Sequence, residues 1–280
     1  GAAKAYCGPF GFNCQAPDEG NMHTLLHWAT DEQKEKYLRP LCEGMAMSCF
    51  AMTEPEVAGS DPTLIRTTAI QDGEEWVING HKWFISNARR ASFAILVART
   101  EDDPDLPQAA NSAFLVDIPT EGWEIVRDVE TLSGAHNHCE IRITNLRVPK
   151  ENILGRPGDG HRLGQYRLGP ARLAHCMRWI GQAEMALNMT IERSMKRYAH
   201  GSLLGEKQGI QWMIADSTME LYQSKLMVLH AAYKIDQGLD FKSEVSMAKH
   251  FVANALNRII DRAIQVHGAL GYSTDTPLAK

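Results

Sequence analysis

Apolar and polar positions change rhythm twice along the chain. Up to about residue 44 the pattern reads as helices broken by turns. Thr30-Asp31-Glu32-Gln33 has the form of a capping box, with the Thr30 hydroxyl accepting from the Gln33 amide while Gln33 reaches back. The helix that follows carries Lys34, Lys36 and Tyr37. It is expected to stop by Pro40, whose ring and missing N–H oppose continuation.

From residue 45 to about 155 the punctuation becomes turns and short strands. Asp72-Gly73 and Asn79-Gly80 each separate strand-like runs, a strong hairpin signal, so 65–70, 76–78 and 81–85 predict a meander. Runs 93–98 and 113–116 are continuously apolar, as in strands covered on both faces. Residues 101–108 between them are acidic with two prolines and read as an exposed loop. Segments 123–126, 140–143 and 146–148 add further strands, and this much antiparallel strand predicts a small barrel or sandwich.

After residue 155 the period turns helical. Residues 156–160 read as a linker, and three long helices are predicted at about 170–198, 207–237 and 242–267. In the second, Ile210, Met213, Ile214, Leu221, Val228 and Ile235 fall on one side. In the third, Val245, Val252, Ile259 and Val266 recur every seven residues with Ala248 and Ala255 between them, the stripe of an antiparallel bundle. Gly-containing links at 201–205 and 238–241 join them. The fold class expected is therefore α+β: a helical N-terminal part (1–44), a central antiparallel β-barrel domain (45–155) and an incomplete, four-helix-bundle-like C-terminal domain (156–280).

Composition changes this picture little. The chain has 280 residues, 44% of them apolar and 22% charged, which is ordinary for a globular protein. A net charge of −5 without a long basic run argues against a nucleic-acid partner. No apolar stretch is long enough for a membrane span. The start does not resemble a secretory leader and lacks Met, so the native N-terminus is expected to lie outside this sequence. Six scattered cysteines without a C-x-x-C pair read as free thiols, and no metal site is expected: His136, His138 and Cys139 cluster without a second ligand pair.

The chemistry concentrates at the Phe50-Ala51-Met52-Thr53-Glu54-Pro55 stretch and the small-residue turn Ala58-Gly59-Ser60. Such a turn brings backbone N–H groups and hydroxyls close to a ligand, as a phosphate- or flavin-binding loop requires. Further along come Lys82-Trp83-Phe84-Ile85-Ser86-Asn87, Arg167-Leu168-Gly169-Pro170-Ala171-Arg172 and Gln265-Val266-His267-Gly268-Ala269-Leu270-Gly271-Tyr272. With Gln15-Ala16-Pro17-Asp18 and Gly20-Asn21-Met22, and in this order, these segments resemble the acyl-CoA dehydrogenase family over nearly the whole chain. The branch it resembles most has the Arg-Leu-Gly-Pro-x-Arg helix start followed by His175-Cys176-Met177-Arg178.

The resemblance implies FAD as cofactor. It implies that Phe50, Met52 and Thr53 lie along the flavin ring, that Phe84, Ile85 and Ser86 cover its other side with Ser86 donating to the ring, and that Gly59 and Ser60 face the pyrophosphate or the pantetheine of the substrate. Arg197, Gln208, Gln265, Gly268 and Gly271 match positions that meet the dinucleotide across a subunit interface, which implies a homodimer or a homotetramer. Tyr198-Ala199-His200 departs from the family at that contact, and Ala269 replaces a common Gly. Arg172 is matched to a coenzyme A or loop contact. Glu54 beside the loop reads as a structural hydrogen-bond acceptor rather than a base.

The reaction implied is α,β-dehydrogenation of an acyl-CoA thioester, with electrons passed to an electron-transfer flavoprotein or similar acceptor. Of the two family positions for the general base, one is Ala171 here, which takes no proton. The other is expected beyond Lys280, so no catalytic residue is assigned within the chain. A flavin oxidase on the same scaffold (acyl-CoA or nitroalkane oxidase) and a non-catalytic flavin-binding or oligomer scaffold are the alternatives. The compartment implied is the bacterial cytoplasm or the mitochondrial or peroxisomal matrix.

Overall fold

The structure is a computed structural model that describes residues 16–100, 110–131 and 137–279. The expected loop at 101–108 lies outside these residues, as do His136, Cys7 and Cys14. The described residues divide into two compact units, one up to residue 168 and one from residue 169 on. The N-terminal helices therefore group with the β domain.

In the first unit, α1 (Asp18–Trp28) is followed by α2, a composite of α-helical Asp31–Gln33, a π-helical turn Lys34–Leu38 and α-helical Arg39–Cys42. The predicted capping box forms, with Gln33 N donating to Thr30 Oγ1 (3.2 Å) and Thr30 N to Gln33 Oε1 (3.1 Å). The expected stop at Pro40 does not occur. The wide turn places the Arg39 N–H on Lys34 O, so the ladder is already out of α register where proline cannot donate. Tertiary burial of Tyr37 and Leu41 completes the override.

Eight strands follow: β1 (Ser48–Ala51), β2 (Thr68–Asp72), β3 (Glu75–Ser86), β4 (Phe93–Arg99), β5 (Asn111–Asp117), β6 (Trp123–Asp128), β7 (His138–Pro149) and β8 (Ile153–Leu154). They pair in the order β6-β7-β3-β2-β4-β5-β8, with β1 added beside β4. The pairing is mixed, because β1 and β2 both run parallel to β4, a correction to the all-antiparallel expectation. Among the described residues no strand pairing joins β6 to β8. Alternate residues of β4 and β5 enter two apolar clusters. Ala94, Leu96, Phe114 and Val116 pack with β1, β3 and β7, while Phe93, Ile95, Ala113 and Leu115 meet Leu25, Tyr37, Leu41 and Leu163 from the helices. Both faces of these strands are thus covered, as the continuous apolar runs predict.

The two Gly dipeptides behave differently. Asp72-Gly73 is the β2–β3 turn, and Gly73 has φ +62° with open space around it. Asn79-Gly80 is no turn. It lies inside the single long strand β3, at a register shift against β7. A Cβ on Gly80 would fall within 2.6 Å of Thr67 Cβ, so the glycine serves a close approach of chains rather than a reversal.

The second unit holds most of α3 (Gly160–Lys196), a small hairpin of β9 (Tyr198–Ala199) and β10 (Ser202–Leu203), α4 (Gln208–Asp236) and α5 (Lys242–His267). The stripe Val245, Ala248, Val252, Ala255, Ile259 and Val266 is buried throughout. On α4, Leu221 and Val228 are buried beside Ser217, Ser224 and Ala231, whereas Ile210, Met213, Ile214 and Ile235 are half-buried. α3 begins ten residues before the predicted start, and Pro170 lies inside it. Gly160 fits against Asn111, where a Cβ would meet the carbonyl oxygen at 2.6 Å, and Leu163 is fully buried. That packing draws the 160–169 segment into the helix despite the proline.

Candidate functional site

Within the first unit a cleft of about 240 Å³ is lined by Ala16, Pro17, Phe50, Met52, Thr53, Phe84, Ser86, Gly164, Arg167 and Leu168. Five of the positions matched to the flavin therefore converge: Phe50, Met52, Thr53, Phe84 and Ser86. They come from the end of β1, the loop after it and the end of β3.

Two devices bring these segments together. Trp83 N donates to Thr53 O (3.0 Å) and Thr53 Oγ1 to Trp83 O (2.6 Å), which ties the loop after β1 to β3. Beneath them, Lys82 Nζ donates to Met52 O (2.9 Å) and Glu54 Oε1 (2.8 Å), with Lys82 0% and Glu54 1% exposed. Glu54 also accepts from Arg66 N, Thr67 N and Thr67 Oγ1 (2.7, 2.9 and 2.6 Å), so it is the structural acceptor expected of it. Burial draws the Lys82 ammonium down to about 8, against the pull of Glu54. Burial also opposes charge on Glu54, but the Lys82 ammonium and the hydrogen bonds outweigh it and hold the carboxyl below its ordinary value.

A bulge then aims the aromatic side chain. The β3–β7 register shifts between Lys82 and Ile85, and Phe84 takes φ +52°, a left-handed conformation uncommon for an aromatic residue. Its ring is 44% exposed at the cleft, while its neighbour Ile85 is 1% exposed and points into the core. The Ile85 side chain is therefore withdrawn from the cleft. On the opposite wall the Arg167 guanidinium stacks over the Phe50 ring at 4.3 Å, and donates to Asn21 Oδ1 (2.9 Å) and Pro17 O (3.2 Å). Burial lowers Arg167 to about 10 despite the nearby Glu19 and Asp18 carboxylates.

The two hydroxyls in the cleft differ. The Thr53 proton is committed to Trp83 O, leaving its oxygen as an acceptor. Ser86 Oγ lies 2.9 Å from His138 Nδ1. Gly59 occupies a small recess next to the cleft, where a Cβ would sit 3.1 Å from Thr53 Cγ2, and Ser60 beside it is exposed. The Pro55–Ser60 loop is tied to the sheet by His81, which stands 2.7 Å from Glu56 Oε1 through Nδ1 and 2.9 Å from Glu140 Oε1 through Nε2.

The remaining matched residues belong to the second unit. Arg172 is exposed on α3, and Arg197 is exposed just after that helix. Gln208 is the exposed first residue of α4, and Gln265 is exposed in the last turn of α5. Gly268 follows as its cap with φ +64°, and Gly271 is buried where a Cβ would strike Ile264 O at 2.5 Å. Both glycines are thus required by the backbone itself.

The local sequence around Arg167, Gly164 and His138 gives no sign of their place at the cleft or beside Ser86. Arg167 opens the Arg167-Leu168-Gly169-Pro170 segment, but only folding brings it onto Phe50. His138 reads as part of a weak metal cluster, yet here its Nδ1 meets Ser86 while Cys139 Sγ donates to Asp128 Oδ1 at 3.5 Å.

The lining fits a flat aromatic cofactor: the cleft offers the rings of Phe50 and Phe84, the Met52 side chain, an acceptor hydroxyl and a second hydroxyl, and the Gly59 recess accepts nothing larger than hydrogen at Cα without displacing Thr53.

Comparison with known proteins identifies the family. Profiles described as "Acyl-CoA dehydrogenase, middle domain" and "Acyl-CoA dehydrogenase, C-terminal domain" match residues 49–146 and 158–280. The Mycobacterium tuberculosis protein named "Probable acyl-CoA dehydrogenase FadE2" is 44% identical over 97% of this chain and 68% of its own length. The chain spans only 26% and 37% of two similar animal relatives. A solved Mycobacterium abscessus structure, named as a "putative acyl-CoA dehydrogenase", superposes with TM-score 0.93 at 38% identity, over 99% of this chain and 70% of that one. The "FAD complex of PigA" superposes with TM-score 0.88 at 25% identity, over 94% and 71% of the two chains. No described helix is long and apolar enough to cross a membrane. The chain belongs to the acyl-CoA dehydrogenase family of flavoprotein oxidoreductases.

Proposed function

We propose that this chain holds FAD in the cleft between the β1 loop and the end of β3 and serves the α,β-dehydrogenation of an acyl-CoA thioester. The observation that carries the reading is Phe84: a bulge and a left-handed φ hold an aromatic ring out of the core and against the cleft. When bound, the flavin supplies the acceptor for the hydride leaving the β carbon. Phe50, Met52 and Phe84 offer faces for the ring, and the Thr53 oxygen and Ser86 hydroxyl offer polar contacts to its edge. The Lys82–Glu54 pair fixes the loop that presents Met52 and Thr53, so positioning is the chain's main contribution. Gly59 and Ser60 border the phosphate or pantetheine.

Arg197, Gln208, Gln265, Gly268 and Gly271 contribute to the dinucleotide half in an oligomer, and Arg172 to coenzyme A. Ala171 cannot take the α proton, and no residue of this chain is assigned as the general base. Electrons leave to an electron-transfer flavoprotein or similar acceptor. Assembly as a homodimer or homotetramer is supported by an exposed stripe on α4, Trp212, Met219, Tyr222, Leu226, Leu229 and Tyr233, each 49–65% exposed and at heptad spacing. Leu226→Glu with Leu229→Glu is expected to lower the mass seen by light scattering.

The decisive experiment mixes the FAD-loaded protein with acyl-CoAs in the absence of oxygen. Bleaching of the flavin band that persists until an electron-transfer flavoprotein is added supports the dehydrogenase. Rapid peroxide release in air favours an oxidase, and no bleaching with any thioester favours a scaffold.

A further inference from the structure

Ser86 is the cleft hydroxyl whose proton is not already assigned, and His138 decides where that proton goes. A hydroxyl has one proton and two lone pairs. If His138 Nδ1 is bare, it takes the Ser86 proton, and Ser86 presents only an acceptor to the cleft. If Nδ1 carries hydrogen, it donates to Ser86 Oγ at 2.9 Å, and the Ser86 proton is released toward the ligand. The two residues stand directly opposite each other in the β3–β7 register, Ser86 against His138. The bulge just before Ser86 leaves this pairing intact while turning Phe84 outward, with its ring 6.1 Å from the imidazole. Nearby charged groups engage one another, Arg89 of the turn after β3 with Asp128 at 3.0 Å and Arg127 with Glu140 at 2.7 Å.

We propose that His138 is a positioning residue for the bound ring: its Nδ1–H holds the Ser86 oxygen so that the Ser86 proton points into the cleft and is donated to the flavin. This rests on the reading of the cleft as a flavin site. His138 itself does not touch the ring; it acts through Ser86.

The test titrates FAD into the full chain and follows both affinity and the absorption band of the oxidised flavin. His138→Phe removes the donor, Ser86→Ala removes the mediator, and His138→Asn restores an N–H near the Nδ1 position. His138→Phe and Ser86→Ala are each expected to weaken FAD binding roughly fivefold, the size of one hydrogen bond, and to shift the flavin band alike. The double variant shows no further loss, because both changes break the same chain of contacts. His138→Asn stays within about twofold of the parent. Thermal unfolding of the cofactor-free variants is unchanged, which separates positioning from a structural role. The proposal is overturned if the parent binds FAD and His138→Phe changes neither affinity nor band, if its effect persists on the Ser86→Ala background, or if His138→Asn loses as much as Ser86→Ala. Should His138→Phe fail to fold, the asparagine variant alone decides. A parent chain that binds no FAD overturns the flavin reading itself.

Discussion

Lys82 Nζ lies 2.8 Å from Glu54 Oε1, and the two side chains are 0% and 1% exposed to solvent. One comes from the middle of a strand and the other from the loop that lines the cleft. Their separation in sequence is 28 residues. Removing one partner strands a buried charge, so Lys82→Met is expected to destabilise the fold by roughly 3–5 kcal/mol. The double variant Lys82→Met with Glu54→Gln should lose less than the sum of the two single variants. Chemical denaturation of the four proteins measures both quantities.

His81 stands between two carboxylates, and only the imidazolium can donate to both. Partial burial opposes its charge, but the hydrogen bonds and charges of Glu56 and Glu140 outweigh it and raise its pKa above the ordinary 6.5. A raised folded value means that the stabilisation is complete below about pH 6.5 and disappears as pH climbs through the folded pKa. Parent and His81→Phe should therefore differ most in melting temperature at about pH 5 to 6 and converge toward pH 9. An equal gap across the whole range would refute the bridging role.

Gly80 and Gly73 make a controlled pair. Alanine at Gly80 collides with Thr67 and is expected to cost about 1–3 kcal/mol through overpacking. Alanine at Gly73 meets nothing, and its penalty of about 1–2 kcal/mol is that of a left-handed φ. Thr67→Ser in the Gly80→Ala background removes a methyl from the clash and should recover part of the loss. The same substitution should leave Gly73→Ala unimproved.

Phe84 is exposed and strained, so its removal separates folding from binding. Phe84→Ala is expected to leave the melting temperature of the cofactor-free protein within about 2–4 °C of the parent. Binding of FAD should weaken by about tenfold or more, the range of a well-placed aromatic contact. Isothermal titration against FAD, alongside calorimetry of the cofactor-free protein, gives the two readings.

Much of this architecture is legible in local patterns. The capping box at Thr30, the turn at Asp72-Gly73, the doubly apolar β4 and β5, and the seven-residue stripe of α5 each express a short-range rule that the fold leaves alone. The candidate site is legible in part: Phe50, Met52, Thr53, Phe84 and Ser86 converge, while Ile85 turns inward because strand side chains alternate beyond the bulge.

What the amino-acid order determined alone is the set of elements and the order of helix, strand and helix, because hydrophobic period and turn residues act over a few neighbours. Long-range packing decided the rest. Asn79-Gly80 has the form of a turn, yet Thr67 presses against it inside one strand. Pro40 and Pro170 have the form of helix boundaries, yet a π turn and the burial of Leu163 carry the helices past them. The partners of Lys82, Arg167 and His138 lie 28, 146 and 52 residues away, a reach that no local rule encodes and that only the closed chain supplies.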